Sequence, residues 1–155
     1  MSDQVRTISF TVFGKAQPKG STRAIPFRDR RTGRLRVNVM SDNKHLASWE
    51  RLVRFEAQTI LRQQGHPSDV PFFEGKTPVA IRLRFALPRP KSVKANTRPF
   101  HVVKPDLDKL MRAAVDGLIG VMFDDDGQVC KFHDPEKFYA DGRPFAEITV
   151  MEHRA

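Results

Sequence analysis

Apolar and polar residues alternate strictly along RTISFTVF at 6–13, with Ile8, Phe10 and Val12 on one side and Thr7, Ser9 and Thr11 on the other. That period of two predicts a half-buried strand. The same alternation returns in VAIRLRFAL at 79–87, where Val79, Ile81, Leu83, Phe85 and Leu87 face inward and Arg82 and Arg84 outward. Between them the period becomes helical from Ser41 to about Gln64. Leu46, Trp49, Val53, Ala57 and Ile60 form its stripe, Ser41 or Asp42 is placed to cap, and Gly65 with Pro67 closes it. Trp49, on that stripe, reads as a core residue. A second helix is predicted from about Asp106 to Ile119, starting just after Pro105, with Leu107, Leu110, Met111, Ala114 and Leu118 turned to the core.

The remaining segments are shorter or irregular. FRDRRTGRLRVNV at 27–39 reads as a basic hairpin turning near Thr32-Gly33, or else as a solvated loop. QVCKFHDPEKFYA and PFAEITVM predict two closing strands, paired as a hairpin through Asp141-Gly142, with Cys130 a small buried apolar residue. Residues 88–105 hold four prolines and several cations and predict a long basic connection. No internal repeat or composition break divides the chain. The expectation is a single α+β domain over 1–155, two-layered, with helices packed on a mixed or mainly antiparallel sheet and basic loops at 14–40 and 88–105.

Composition changes this picture mainly through charge. Lys and Arg total 27 against 18 Asp and Glu, a formal net charge of +9. Residues 1–40 alone hold nine Lys or Arg against two Asp. Such a field favours nucleic acid, because phosphate neutralisation dominates that affinity. The basic residues fall in strand-like and loop-like sequence, not on an amphipathic helix, which argues against a membrane surface. No apolar run is long enough to span a bilayer, the N-terminal residues lack a signal-peptide core, and the single cysteine allows no internal disulfide. The expected location is therefore the cytoplasm, with no membrane partner.

Against that cationic background, KPDLDKLMRAAVDGL at 104–118 and DDDGQ at 124–128 gather six of the 18 acids between Asp106 and Asp126. Each has an ordinary structural role open to it. Asp106 can cap a helix, Asp108–Arg112–Asp116 can form an i, i+4, i+8 ion-pair ladder, and the triplet before Gly127 can be a turn. Together they repel one another unless a cation compensates. A hard divalent ion such as Mg²⁺ is held by a few carboxylate oxygens and leaves room for water and phosphate oxygens. Acids inside a basic chain thus suit a metal site that meets a phosphodiester, the logic of a metal-dependent nuclease.

The same residues resemble the RusA family of Holliday junction resolvases, of bacterial or prophage type. That family's pattern is in outline PDxDN, a Lys four residues past the second Asp, an Asp four further on, and later DDxQ. FTVFGKAQPKGSTR is similar to the family's N-terminal strand and basic loop, so the resemblance spans about residues 8–150. It implies that Asp106, Asp108 and Asp126 are catalytic metal-binding acids, that Asp125 is a supporting or shared ligand, and that Asp116 either backs the site or is structural. Arg112 stands where the family usually has a catalytic lysine, and Lys109 where asparagine is common. Arginine grips phosphate bidentately but does not donate a proton near neutral pH. The position of Gln128 matches the motif's glutamine.

The resemblance further implies a homodimer acting on four-way junctions, with Mg²⁺, replaceable by Mn²⁺, as cofactor. Water attacking the phosphorus in line would leave 5′-phosphate and 3′-hydroxyl ends, as paired symmetric nicks in DNA recombination and repair. Two related cuts across a two-fold junction call for two related sites. The basic segments 15–36 and 88–104 are the candidates for gripping the junction arms, with Lys15, Lys19, Arg23, Lys104 and Lys109 as the expected phosphate contacts. Phe100 is a candidate wedge at the junction centre or a packing residue. Among the five histidines only His101 and His133 flank the acids; either is a candidate general base, and a surface or packing role is favoured for both. Two alternatives stand beside this reading: a non-catalytic DNA-binding module, and a nuclease acting on other branched DNA.

Overall fold

The computed structural model describes residues 4–20, 22–41, 43–94 and 99–155, with the backbone alone at 22, 23 and 39–41. Strand β4 (Val79–Leu87) organises the sheet. Val79, Ile81, Leu83 and Phe85 are wholly buried on one face, and Ala80 and Ala86 are buried on the other. A strand buried at seven of its nine positions belongs inside a sheet, with only Arg82 and Arg84 reaching toward solvent. β6 (Phe145–Glu152) runs antiparallel along one edge of β4, and β5 (Val129–Tyr139) runs parallel along the other. β1 (Thr7–Phe13) pairs antiparallel with β6 and completes the order β1-β6-β4-β5. The register aligns Ile8 with Val150 and Val12 with Ala146, and sets Ile81 and Leu83 opposite Val150 and Ile148. These cross-strand pairs make one apolar face.

Helices α1 (Leu46–Gln63) and α2 (Leu107–Leu118) share the core cluster with that face. Each fully buried Ile, Leu or Phe contributes about 1.5–3 kcal/mol by leaving water. The opposite sheet face is more open and mixes polar groups with the Phe13, Phe138 and Phe145 rings. There Arg84 pairs with Glu136 and Glu147, and the Ser9 and Thr149 hydroxyls lie 2.9 Å apart. The α+β class and mixed sheet expected from the patterning are the ones found.

Several expectations need correction. β5 and β6 are not a hairpin, because β4 lies between them. β5 is too polar for a central position and carries Pro135, which lacks an N–H, beside a register shift at Asp134 (φ 41°). Such a strand is tolerated at an edge. Cys130 is exposed on it, not buried. α1 begins at Leu46 instead of near Ser41, because β3 (Leu35–Ser41) continues pairing with β2 (Thr22–Arg28) through Ser41. The side chain of Ser41 and the whole of Asp42 lie outside the described residues. Asn43 Oδ1 instead accepts from the His45 amide at 3.0 Å. Leu61, not Ile60, is the buried residue in the last turn of the stripe. Trp49 is buried as expected. The basic hairpin exists and is longer than predicted, spanning β2 and β3.

The two helices touch most closely at Gly117. A Cβ there would meet the Val53 side chain at 3.0 Å and the Glu50 carbonyl oxygen at 3.1 Å. Gly117→Ala is therefore expected to destabilise the fold by about 1–3 kcal/mol, despite alanine's better helix propensity. Denaturant unfolding checks it; a variant as stable as the parent would show that the helices separate freely here.

Candidate active site

The acidic triplet is placed by what precedes it. After α2 the chain turns sharply at Gly120, whose φ of +83° suits a residue without Cβ. Val121, Met122 and Phe123 then bury themselves. The Phe72 and Phe73 amides donate to the Val121 and Met122 carbonyls at 3.0 and 2.8 Å. Asp124 thus emerges beside the 73–77 loop.

Three consecutive carboxylates take three different roles. Asp124 Oδ2 accepts from the Gly75 amide at 2.6 Å, an anchor to that loop. Asp125 caps the 3-10 turn Asp126–Gln128, accepting from the Gly127 amide at 2.6 Å. That amide, and then its contact with the Asp126 carboxyl, hold Asp125 below the usual carboxylate range. Asp126 carries no ion pair to a cation among the described residues.

Gln128 explains why the turn is rigid. Its side chain is buried, yet all of its hydrogen-bonding capacity is used. Oε1 accepts from the Asp124 and Asp125 amides at 2.8 and 3.0 Å, and Nε2 donates to the Phe73 and Thr77 carbonyls, both at 3.0 Å. Sequence reading matched this glutamine to a motif without finding its role, because burial of a single polar side chain leaves no periodic signal.

α2 supplies the facing wall. Lys137 Nζ donates to the Val103 and Pro105 carbonyls at 2.7 and 2.8 Å, pinning the segment that enters the helix, where the Lys104–Pro105 bond is cis. Sequence reading missed Lys137 altogether. Asp106 occupies the N-cap position with extended backbone, but its side chain makes no capping bond. Its nearest cation is Lys109 Nζ at 3.8 Å. Asp108 lies exposed in the first turn, where the helix dipole favours a negative charge, and has no side-chain partner among the described residues.

Asp108, Arg112, Asp116 and Asp126 line one depression of about 360 Å³, floored by Met111, Val115, Val129 and Phe132. The expected ladder does not form: no Arg112 pair with Asp108 or Asp116 occurs among the described residues. Asp116 instead pairs with Lys19, which also reaches Glu50 at 3.1 Å. Bonding to Asp116, opposed by partial burial and supported by Glu50, raises the Lys19 pKa. Lys19 therefore stands as a strut behind the acids, and its amide donates to the Lys109 carbonyl at 3.0 Å.

A second groove, about 480 Å³, is lined by Lys15, Lys19, Lys104, Lys109 and Asp106. It shares Lys15, Lys104 and Pro105 with a third, about 270 Å³, that adds Arg89 and His101. Four of the five expected phosphate contacts thus meet in one cationic trough; the Arg23 side chain lies outside the described residues. His101 is buried against Tyr139, with ring centroids 4.9 Å apart. Burial, and then the Lys137 charge, push its pKa down. Phe100 is exposed, and its backbone bridges to Phe138.

Asp108 and Asp126 therefore come together, while Asp106 opens on the neighbouring trough and Asp125 is half engaged by its turn. Among the described residues no three acidic, histidine or cysteine side chains converge as a ready-made metal cage. The donors nevertheless fit a hard divalent ion: they are carboxylate oxygens only, and Asp108 and Asp126 pair with no cation among the described residues.

Carboxylates without cation partners among the described residues, Asp108 and Asp126, thus face one depression beside a lysine trough on an α+β scaffold, an arrangement suited to a phosphodiester. The family model of the endodeoxyribonuclease RusA matches residues 15–151, nearly the whole chain. The chain belongs to the RusA family, and is an endodeoxyribonuclease of the kind that resolves Holliday junctions. Nucleases of this family generally depend on a divalent metal. Among curated proteins none matches the chain. No helix among the described residues is long and apolar enough to cross a membrane.

Proposed function

We propose that this chain, as one domain over residues 1–155, is a Mg²⁺-dependent, structure-selective endodeoxyribonuclease. It acts as a homodimer in the cytoplasm and resolves four-way junctions by paired symmetric nicks in recombination and repair. The observation that carries the reading is the meeting of Asp108, Asp126 and Arg112 in one depression, next to a trough lined by Lys15, Lys104 and Lys109.

Asp108 and Asp126 would hold the cation, with Asp125 beside Asp126 and Asp106 from the edge of the neighbouring trough as supporting ligands. When bound, it supplies charge neutralisation at the scissile phosphate and a lower pKa for water. The protein's own groups do the rest. Lys15, Lys104 and Lys109 bind backbone phosphates and set the strand's register. Arg112 offers two parallel N–H donors to the phosphate oxygens, a role arginine fills at least as well as lysine. Arg112 needs no proton to give; it orients the phosphate and offsets the charge that builds on it. Lys19 holds Asp116, keeping that carboxylate from competing for Arg112.

Incubation with a labelled four-way junction tests the reading. Mg²⁺ should give symmetric nicks in two opposing strands, EDTA should abolish them, and Mn²⁺ should restore them. Equal cutting of linear duplex, or preferred cutting of flaps and forks, would replace the junction assignment with another branched substrate.

A further inference from the structure

We propose that the β2–β3 hairpin is a duplex-binding arm that lies in the major groove of a DNA arm, outside the cutting site. This rests on the reading of the protein as a DNA-acting enzyme and adds a second contact surface to it.

The hairpin forms its own two-stranded sheet and packs extensively on no other element. Two strands alone are marginally stable in water. From Ala24 to Asn38 every side chain is exposed except Asp29, which is partly buried. Ile25, Phe27, Leu35 and Val37 are 47%, 43%, 69% and 59% exposed. Cross-strand partners share a face, so Ile25 and Phe27 sit with Asn38 and Arg36, and Pro26 and Val37 sit with Arg28 and Leu35. Large apolar groups thus stand on both faces, mixed with arginine. A ribbon built to cover its own core would show them on one face only.

Charge identifies the occupant. Residues 22–41 contain six arginines and one acid, a net of +5. That acid, Asp29, is consumed by the turn: it accepts from the Arg31 and Thr32 amides at 2.8 and 3.3 Å and pairs with Arg36 at 3.4 Å. Arg30, Arg31 and Arg34 at the tip have no side-chain partner among the described residues. A second copy of this hairpin would bring like charge onto like charge, whereas a polyanion meets unpaired guanidinium groups.

Geometry selects the groove. A two-stranded ribbon fits the major groove, about 12 Å wide, and not the minor groove of about 6 Å. Seven residues per strand reach about 23 Å, which covers roughly seven base pairs at 3.4 Å each. Arginines then reach the phosphate walls, while the apolar groups meet thymine methyls.

The test is Arg30→Ala/Arg31→Ala/Arg34→Ala, assayed for equilibrium binding in metal-free buffer across a salt series. On a junction with arms of about 20 base pairs, and on linear duplex of that length, affinity should fall tenfold or more, and the slope of log K against log salt should shrink by about 2 to 3. A junction with arms of about five base pairs, too short for the reach of the ribbon, should show less than a threefold change. A charge-preserving variant, Phe27→Ser/Val37→Ser, should weaken long-arm binding with the slope unchanged. Unchanged affinity and slope in the triple variant would overturn the proposal. So would a change of sedimentation mass with duplex affinity intact, which would assign the hairpin to a second copy. Because linear duplex is a binding partner here, the outcome does not depend on whether junctions are cut; Mg²⁺-dependent nicking reports that separately.

Discussion

Asp108→Asn is expected to lower single-turnover junction cleavage by about a thousandfold or more while leaving junction binding intact. Asp108 is exposed, accepts no protein hydrogen bond and pairs with no protein cation among the described residues, so the fold places little load on it. Its one structural contribution is a negative charge at the start of α2, worth about 0.3–1 kcal/mol. Removing that charge while keeping the shape withdraws one ligand from the depression it shares with Asp126 and Arg112. Loss of a carboxylate also relieves repulsion against phosphate, so metal-free binding should hold or tighten. The pair of measurements is cleavage with Mg²⁺ and affinity without it. Cleavage within tenfold of the parent would remove Asp108 from the chemistry, and the proposed assignment of the depression would fall with it.

Gln128→Leu is expected to cost about 2–4 kcal/mol of stability, because four hydrogen bonds of about 0.5–1.5 kcal/mol each are lost, one of them buried and three partly buried. For a chain of this size that corresponds to a fall in Tm of roughly 10 °C. Leucine fills nearly the same volume, so a cavity does not account for the loss. The amides of Asp124 and Asp125 and the carbonyls of Phe73 and Thr77 would be left without their partner. Cleavage should fall as well, although Gln128 does not line the depression, since the turn that presents Asp126 loosens. Thermal unfolding and hydrogen exchange over 124–128 would check both effects. A Tm within a degree of the parent would show that the turn holds its shape without the glutamine.

Most of the scaffold was legible because it is periodic. β1, β4 and α2 lie within a residue or two of where alternation and the 3.6-residue stripe put them. The failures share a cause. The strands after Asp126 were found, but their pairing was not, since hairpin pairing of neighbours is a default that the insertion of the strongly apolar β4 between them overrides. The start of α1 was misjudged where the end of β3 competes for the same residues. At the site, spacing in the sequence picked out every acid but could not say which were free. Asp124 and Asp125 are held by the Gly75 and Gly127 amides, and Asp116 by Lys19.

From the sequence alone came the chemistry: hard oxygen ligands in a cationic chain, the family motif and the residue types it requires. Those are properties of composition and spacing, and local sequence carries them. The tertiary structure decided which carboxylates face a common depression, that Lys19 backs Asp116, that Arg112 has no ion-pair partner among the described residues, and that a buried glutamine clamps the acidic turn. These depend on groups far apart along the chain, such as Lys19 and Asp116 or the Phe73 carbonyl and Gln128, which only the folded chain brings together.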